Sequence, residues 1–210
     1  LFLLSMFIKK MPSHLVIVES PAKVKTLQTY LSYLGENYTV MASCGHFRDL
    51  DPKKLSVELN DDFKPDYSIS YGKQNVVAEL KKKHKNSDIV YLASDFDREG
   101  EAIAWHLKEV LKLKPEKTKR IVFTEITKTA ILHAIENPTN INLNMFYAQQ
   151  ARRIIDRLIG YKLTPLLWKN IQSSMKKGVS LSAGRVQSVV NKLILEREEE
   201  INKLTLVDLQ

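Results

Sequence analysis

A short apolar run, Ile89-Val90-Tyr91-Leu92-Ala93, opens directly onto three acids at alternate positions, Asp95, Asp97 and Glu99. Polar segments flank the run, and it is rich in β-branched residues, which is the signature of a parallel strand buried on both faces. Open α/β sheets place their ligands at the carboxyl ends of such strands. Asp95, Asp97 and Glu99 are expected to converge there in one loop. Like charges so close repel unless a cation neutralises them, and an all-oxygen set suits Mg²⁺, which pairs naturally with phosphate. The same acids would equally suit the N-terminus of a following helix, where negative charge is favourable. The rest of the chain has to weigh one reading against the other.

With 210 residues, the chain suits one large domain or one domain and part of a second. Its net charge is +8 and its pI is near 9.4, which favours a polyanionic partner. Cys44 is the single cysteine. It excludes an intrachain disulfide and a zinc site built from several cysteines, and it fits a reducing compartment. No apolar run approaches the ~18 residues of a membrane span. Leu1–Phe7 are apolar and Lys9-Lys10 follow, the reverse of a secretory signal. Met11 is a candidate natural start, and residues 1–13 are set aside as an N-terminal extension.

His14–Glu19 reads as a first buried strand. Ser20-Pro21 then opens a helix, with Pro where its missing N–H costs nothing. Leu27, Tyr30, Leu31 and Leu34 form its apolar face, and Gly35 ends it. Tyr38–Ser43 is a second strand, residues 45–50 a turn, 51–66 a loop and Tyr67–Tyr71 a short strand. Helices are expected over 75–86, 101–113 and 128–137, with strands over 89–94 and 120–124. The alternation argues for a parallel sheet covered by helices. Pro138-Thr139-Asn140 breaks it, and long helices follow over 143–161 and 184–204. A domain boundary is placed near 138–142.

Three further clusters carry chemistry. Glu19 and Lys23 leave the end of the first strand, where a carboxylate can move a proton and an ammonium can meet a phosphate oxygen. Arg153, Arg157 and Tyr161 follow i, i+4, i+8 spacing on one helix face, which suits single-stranded nucleic acid. Arg152 and Asp156 on that helix suit an intrahelical ion pair. Leu181–Ser188 is a small-residue turn opening a helix, a natural phosphate site, with Ser182, Arg185 and Gln187 as added donors. The bland readings are a cap beside a surface lysine, a solvated basic stripe and an ordinary helix start.

Seven motifs in order carry a resemblance: LVIVESPAK (15–23), GHFRDL (45–50), DFDREGEAIAWH (95–106), VFTEITK (122–128), AQQARRIIDRLIGY (148–161), TPLLW (164–168) and LSAGRVQS (181–188). Together they resemble the N-terminal part of type IA DNA topoisomerases, closer to the bacterial topoisomerase I branch than to topoisomerase III. The resemblance implies an α/β Toprim domain over 14–138 and a partial, mostly α-helical DNA-binding domain over 139–210. It implies Mg²⁺ on Asp95, Asp97 and Glu99, with Glu19, Lys23 and Arg98 at the scissile phosphate. It places His46, Arg153, Arg157, Tyr161, Ser182, Arg185 and Gln187 on DNA. The implied partner is single-stranded or negatively supercoiled DNA, bound by a cytoplasmic monomer without a nucleotide cofactor.

The family's nucleophile is a tyrosine in a Tyr-x-Arg-Thr-Asp-Ser context. None of the eight tyrosines here has that context. Metal and basic residues cannot replace a nucleophile, so these 210 residues are expected to bind DNA without cleaving it. The tail 204–210 reads as a truncation or frame change, and 172–179 as a loop insertion that adds positive charge. The alternatives are another Toprim enzyme, a nuclease or primase, and a non-catalytic DNA-binding module.

Overall fold

β1 (Ser13–Val18) is one of the two inner strands of a four-stranded parallel sheet, and its five residues from His14 to Val18 are all buried. The computed structural model describes residues 12–34, 37–171 and 181–207. Expectations for Leu1–Met11, for Gly35 as a helix stop, for the 172–179 insertion and for the last three residues lie outside them. The described chain separates into two compact units, one running to Ser56 and resuming over Pro65–Gln150, the other formed by Val57–Lys64 and Ala151–Gln210.

In the first unit, β1 leads through α1 (Pro21–Leu31) to β2 (Asn37–Ala42). Ser20 caps α1 by accepting from the Ala22 N–H at 3.3 Å, and Pro21 opens it as expected. β3 (Arg48–Leu50) is a strand where a turn was expected, because it pairs antiparallel with β6 (Tyr67–Ile69). The intervening loop carries two-residue strands β4 (Val57–Glu58), which is counted in the second unit, and β5 (Lys64–Pro65), at the division between the two. α2 (Gln74–Lys85), β7 (Ile89–Ala93), α3 (Arg98–Leu111), β8 (Thr118–Arg120) and α4 (Lys128–Glu136) complete the alternation.

The sheet order is β2-β1-β7-β8, with every pairing parallel. The continuous apolar runs follow from burial on both faces. Successive strand residues point to opposite faces, so Leu15, Ile17, Val90 and Leu92 join one core with Leu80, Ile103 and Leu107. Val16, Val18, Tyr91 and Ala93 join the other with Leu27, Leu31 and Ile131. Residues 138–142 are tied to the sheet edge: Thr139 exchanges backbone hydrogen bonds with Arg120 at 2.7 and 3.1 Å. The Asn142 N–H donates to Glu101 Oε2 at 3.0 Å.

α5 (Leu143–Asn170) starts in the first unit, where Phe146 stacks on Trp105 at 4.1 Å. It runs nine residues beyond the expected end and passes through Pro165. Within the second unit two cross-links hold that last stretch. The Trp168 Nε1–H donates to the Leu181 carbonyl at 2.7 Å, and Thr164 Oγ1 accepts from the Ala183 N–H at 3.0 Å. They offset the backbone bond that proline removes. α6 (Arg185–Val207) follows, and it exposes Val189, Leu193 and Ile194.

Candidate functional site

β1 and β7 are neighbours, yet the chain leaves β1 toward β2 on one side and β7 toward β8 on the other. Their carboxyl ends therefore form the switch point of the sheet, the crevice where such folds bind ligands. Val18 is level with Ala93 in the register. Glu19 follows the first strand directly, and Asp95 follows the second after Ser94.

Lys23, on the first turn of α1, bridges these strand ends. Its Nζ donates to Glu19 Oε1 at 3.3 Å and makes a short ion pair with Asp95 Oδ1. Glu19 and Asp95 thus share one ammonium and act on each other electrostatically. Burial raises the pKa of Glu19, and the neighbouring Asp95 raises it further against the pull of Lys23. Burial alone would raise Asp95 too. Hydrogen bonds from Lys23 and Glu19 outweigh it and hold that carboxyl below its usual range. For Lys23 burial is likewise outweighed, by Asp95 and Glu19, so its pKa rises. The Lys23 ammonium is thus shared between two carboxyls whose pKa values are pushed apart, Glu19 upward and Asp95 downward.

The three acids do not gather at one point. α3 begins at Arg98, earlier than expected, and Asp97 is its N-cap, with Oδ1 accepting from the Gly100 N–H at 2.7 Å. Glu99 lies inside the helix, and its Oε2 accepts from Gln149 Nε2 at 2.9 Å and meets His46 Nε2 at 3.2 Å. The physical reason is the change from strand to helix. Extended backbone would keep alternate side chains on one side, whereas a helix turns each residue by ~100° from the last. Among the described residues no three His, Cys, Asp or Glu side chains form a metal-binding group. The donor chemistry of Asp95, Asp97 and Glu99, oxygen only, fits a hard cation such as Mg²⁺. Arg98 stands exposed at the start of α3.

His46 reaches Glu99 because the chain before it folds back. Cys44 and Gly45 both take positive φ, 60° and 76°, and the Gly45 N–H donates to the Glu19 carbonyl at 2.7 Å. Gly100 is forced by close approach: a Cβ there would lie 2.1 Å from the Asp95 carbonyl oxygen. Sequence reasoning missed Arg120, Glu101 and Gln149. Arg120 is fully buried; its Nε donates to Glu101 Oε1 at 2.9 Å, and its guanidinium also reaches the Leu92 and Asp95 carbonyls at 3.0 and 2.9 Å. It fastens the backbone of the acidic loop to the sheet. The available signal was an arginine directly before the apolar Ile121-Val122-Phe123.

In the second unit, Arg153, Arg157 and Tyr161 all lie on the continuous helix α5, at spacing that gives them one face; Tyr161 is exposed. Asp156 receives Arg185 Nε at 2.6 Å and Arg152 Nε at 3.8 Å, so the expected intrahelical pair gains a partner from α6. Ser182 Oγ donates to Gln187 Oε1 at 3.0 Å across the start of that helix.

Residues 14–126 match the Toprim domain family, and residues 140–208 match the family described as DNA topoisomerase. Among solved structures, full-length topoisomerase I from Thermotoga maritima in its monoclinic crystal form is similar at 46% identity and a TM-score of 0.78, over 89% of this chain. The present chain covers 30% of that protein. A Toprim domain with its carboxylates at the switch point, followed by a topoisomerase segment, places this chain in the type IA DNA topoisomerase family, as an N-terminal part of such an enzyme.

Proposed function

We propose that this chain supplies the metal and phosphate half of an enzyme that relaxes negatively supercoiled DNA. That enzyme cuts one strand transiently, passes the other and reseals. The observation that carries the reading is the Glu19–Lys23–Asp95 group across the ends of β1 and β7. Residues 14–138 act as the Toprim domain and 139–210 as part of a helical DNA-binding domain. Asp95, Asp97 and Glu99 would supply the oxygen ligands for Mg²⁺, which when bound would offset phosphate charge. Lys23 meets a non-bridging phosphate oxygen and stabilises charge that develops there. The Glu19 carboxyl, beside Lys23 and Asp95, is placed to move a proton to or from a leaving oxygen. Arg98 adds a cation at the same loop.

His46, Arg153, Arg157, Tyr161, Ser182, Arg185 and Gln187 hold the single strand. Arg153 and Arg157 pair with phosphates and Tyr161 stacks on a base. The protein works as a monomer and uses no nucleotide cofactor. With no tyrosine in the family's nucleophile context, the 210 residues bind without cleaving.

Binding of a fluorescent single-stranded oligonucleotide, with and without Mg²⁺, tests the reading beside a denaturing gel for covalent adducts. Salt-sensitive binding that Mg²⁺ strengthens and Asp97→Ala weakens, with no adduct, is expected. A tyrosine-linked adduct would refute the assignment of roles. Binding indifferent to Asp97→Ala would favour a plain DNA-binding module.

A further inference from the structure

Phe96 stands between two of the acids with 64% of its surface exposed. Nothing in the proposed metal or phosphate chemistry uses a phenyl ring there. It lines a cavity of about 450 Å³ whose other walls include Lys23, Asp95, Phe123, Glu125 and Ile126. That volume lies within the ~300–1,000 Å³ of small-ligand sites. Phe123 and Ile126 come from the segment after β8, so the walls are set by two loops at the same edge of the sheet.

The composition of the walls narrows the occupant. Apolar rings and an aliphatic side chain suit a flat, uncharged ring. Asp95 and Glu125 disfavour an anion inside, whereas Lys23 offers a cation on the wall. A nucleotide divides its chemistry in the same way, with a neutral planar base and an anionic phosphate. Base stacking on an aromatic side chain is a main source of single-strand affinity. Glu125 adds a preference. Its Oε1 accepts from Thr127 Oγ1 at 3.0 Å, which fixes the carboxylate beside the cavity. A carboxylate accepts from an exocyclic amine, as glutamate does from cytosine N4, and thymine has no such amine.

We propose that this cavity seats one unpaired, amine-bearing base of the DNA strand, stacked on Phe96. The inference rests on the DNA reading above and adds a base subsite to it. Phe96 acts in affinity and Glu125 in base preference.

Oligo(dC), oligo(dT) and an abasic oligonucleotide of equal length test it against the 210-residue chain. Phe96→Ala should weaken oligo(dC) binding about tenfold and leave the abasic strand unaffected. The unsubstituted chain should favour oligo(dC) over oligo(dT) about fivefold, and Glu125→Ala should abolish that ratio. Phe96→Trp should retain binding and show emission quenched by oligo(dC). Circular dichroism should be the same for every variant, since Phe96 and Glu125 are exposed. Binding that is unchanged in Phe96→Ala, with no quenching in Phe96→Trp, overturns the subsite and leaves the DNA reading standing. A chain that binds none of the oligonucleotides overturns both.

Discussion

Arg120 and Glu101 form an ion pair at 2.9 Å, with the arginine side chain 0% and the glutamate side chain 2% exposed. Burial pulls the arginine pKa down, and Glu101 pushes it back. Each remaining polar atom has work: Arg120 holds the Leu92 and Asp95 carbonyls, and Glu101 accepts the Asn142 N–H. Removing one partner strands a buried charge, which costs about 3–5 kcal/mol. Arg120→Met should therefore destabilise the first unit by that amount in urea denaturation. Arg120→Met combined with Glu101→Leu should recover part of the loss. Additive losses would show that the two side chains are not coupled.

Gly100 answers to geometry rather than charge. The Asp95 carbonyl oxygen would stand 2.1 Å from any Cβ placed there, and it is the same oxygen that Arg120 holds. Backbone cannot yield as a flexible side chain can. Gly100→Ala should cost about 3 kcal/mol, at the upper end for overpacking. Ala is the better helix former, so intrinsic propensity alone would stabilise. A thermal melt decides between them by its sign.

Much of this architecture was legible because local and global signals agreed. The runs 14–18 and 89–93 lack polar alternation, which only a strand covered on both faces tolerates, and both proved central. Strand ends locate Glu19, Lys23 and Asp95 without knowledge of side-chain contacts. Glu99 was less legible. Its position depends on whether extended or helical backbone follows Asp95, and Asp97 decides that by capping α3. Arg120 was illegible for another reason. Arginine is rarely fully buried, and its partner Glu101 lies 19 residues away with no local spacing to betray it. β3 escaped notice because its partner, β6, supplies the pairing that three residues cannot announce alone.

His106 sets an acid limit on stability. It is packed against Tyr67, Trp105 and Phe146, and burial, with Arg48 and His46 nearby, lowers its pKa to about 3. The unfolded chain binds a proton below about 6.5, the ordinary histidine value, while the folded chain refuses it until about 3. Its contribution is whole above the unfolded value and is lost as pH falls through that window. The slope from this one group is about 1.4 kcal/mol per pH unit. In denaturant titrations from neutral pH downward, His106→Gln should flatten the decline relative to the unsubstituted chain. An unchanged slope would mean that other groups govern acid unfolding.

Lys23 offers the sharpest test of how metal and phosphate chemistry are linked. Its ammonium is already engaged by Asp95 and Glu19. An ammonium matched by a carboxylate has little charge left for a phosphate, so Lys23→Ala should barely alter single-strand affinity without metal. Mg²⁺ on the acidic loop would compete for Asp95 and release the ammonium toward DNA. The same substitution should then cost about tenfold and lower the salt slope by about 0.7, the value for one phosphate contact on a single strand. Asp95→Asn should mimic the metal in part, since it frees Lys23 without adding an ion. Anisotropy titrations across ionic strength, with and without Mg²⁺, resolve the two regimes. A Lys23→Ala effect of equal size in both would mean that the lysine meets phosphate regardless of Asp95.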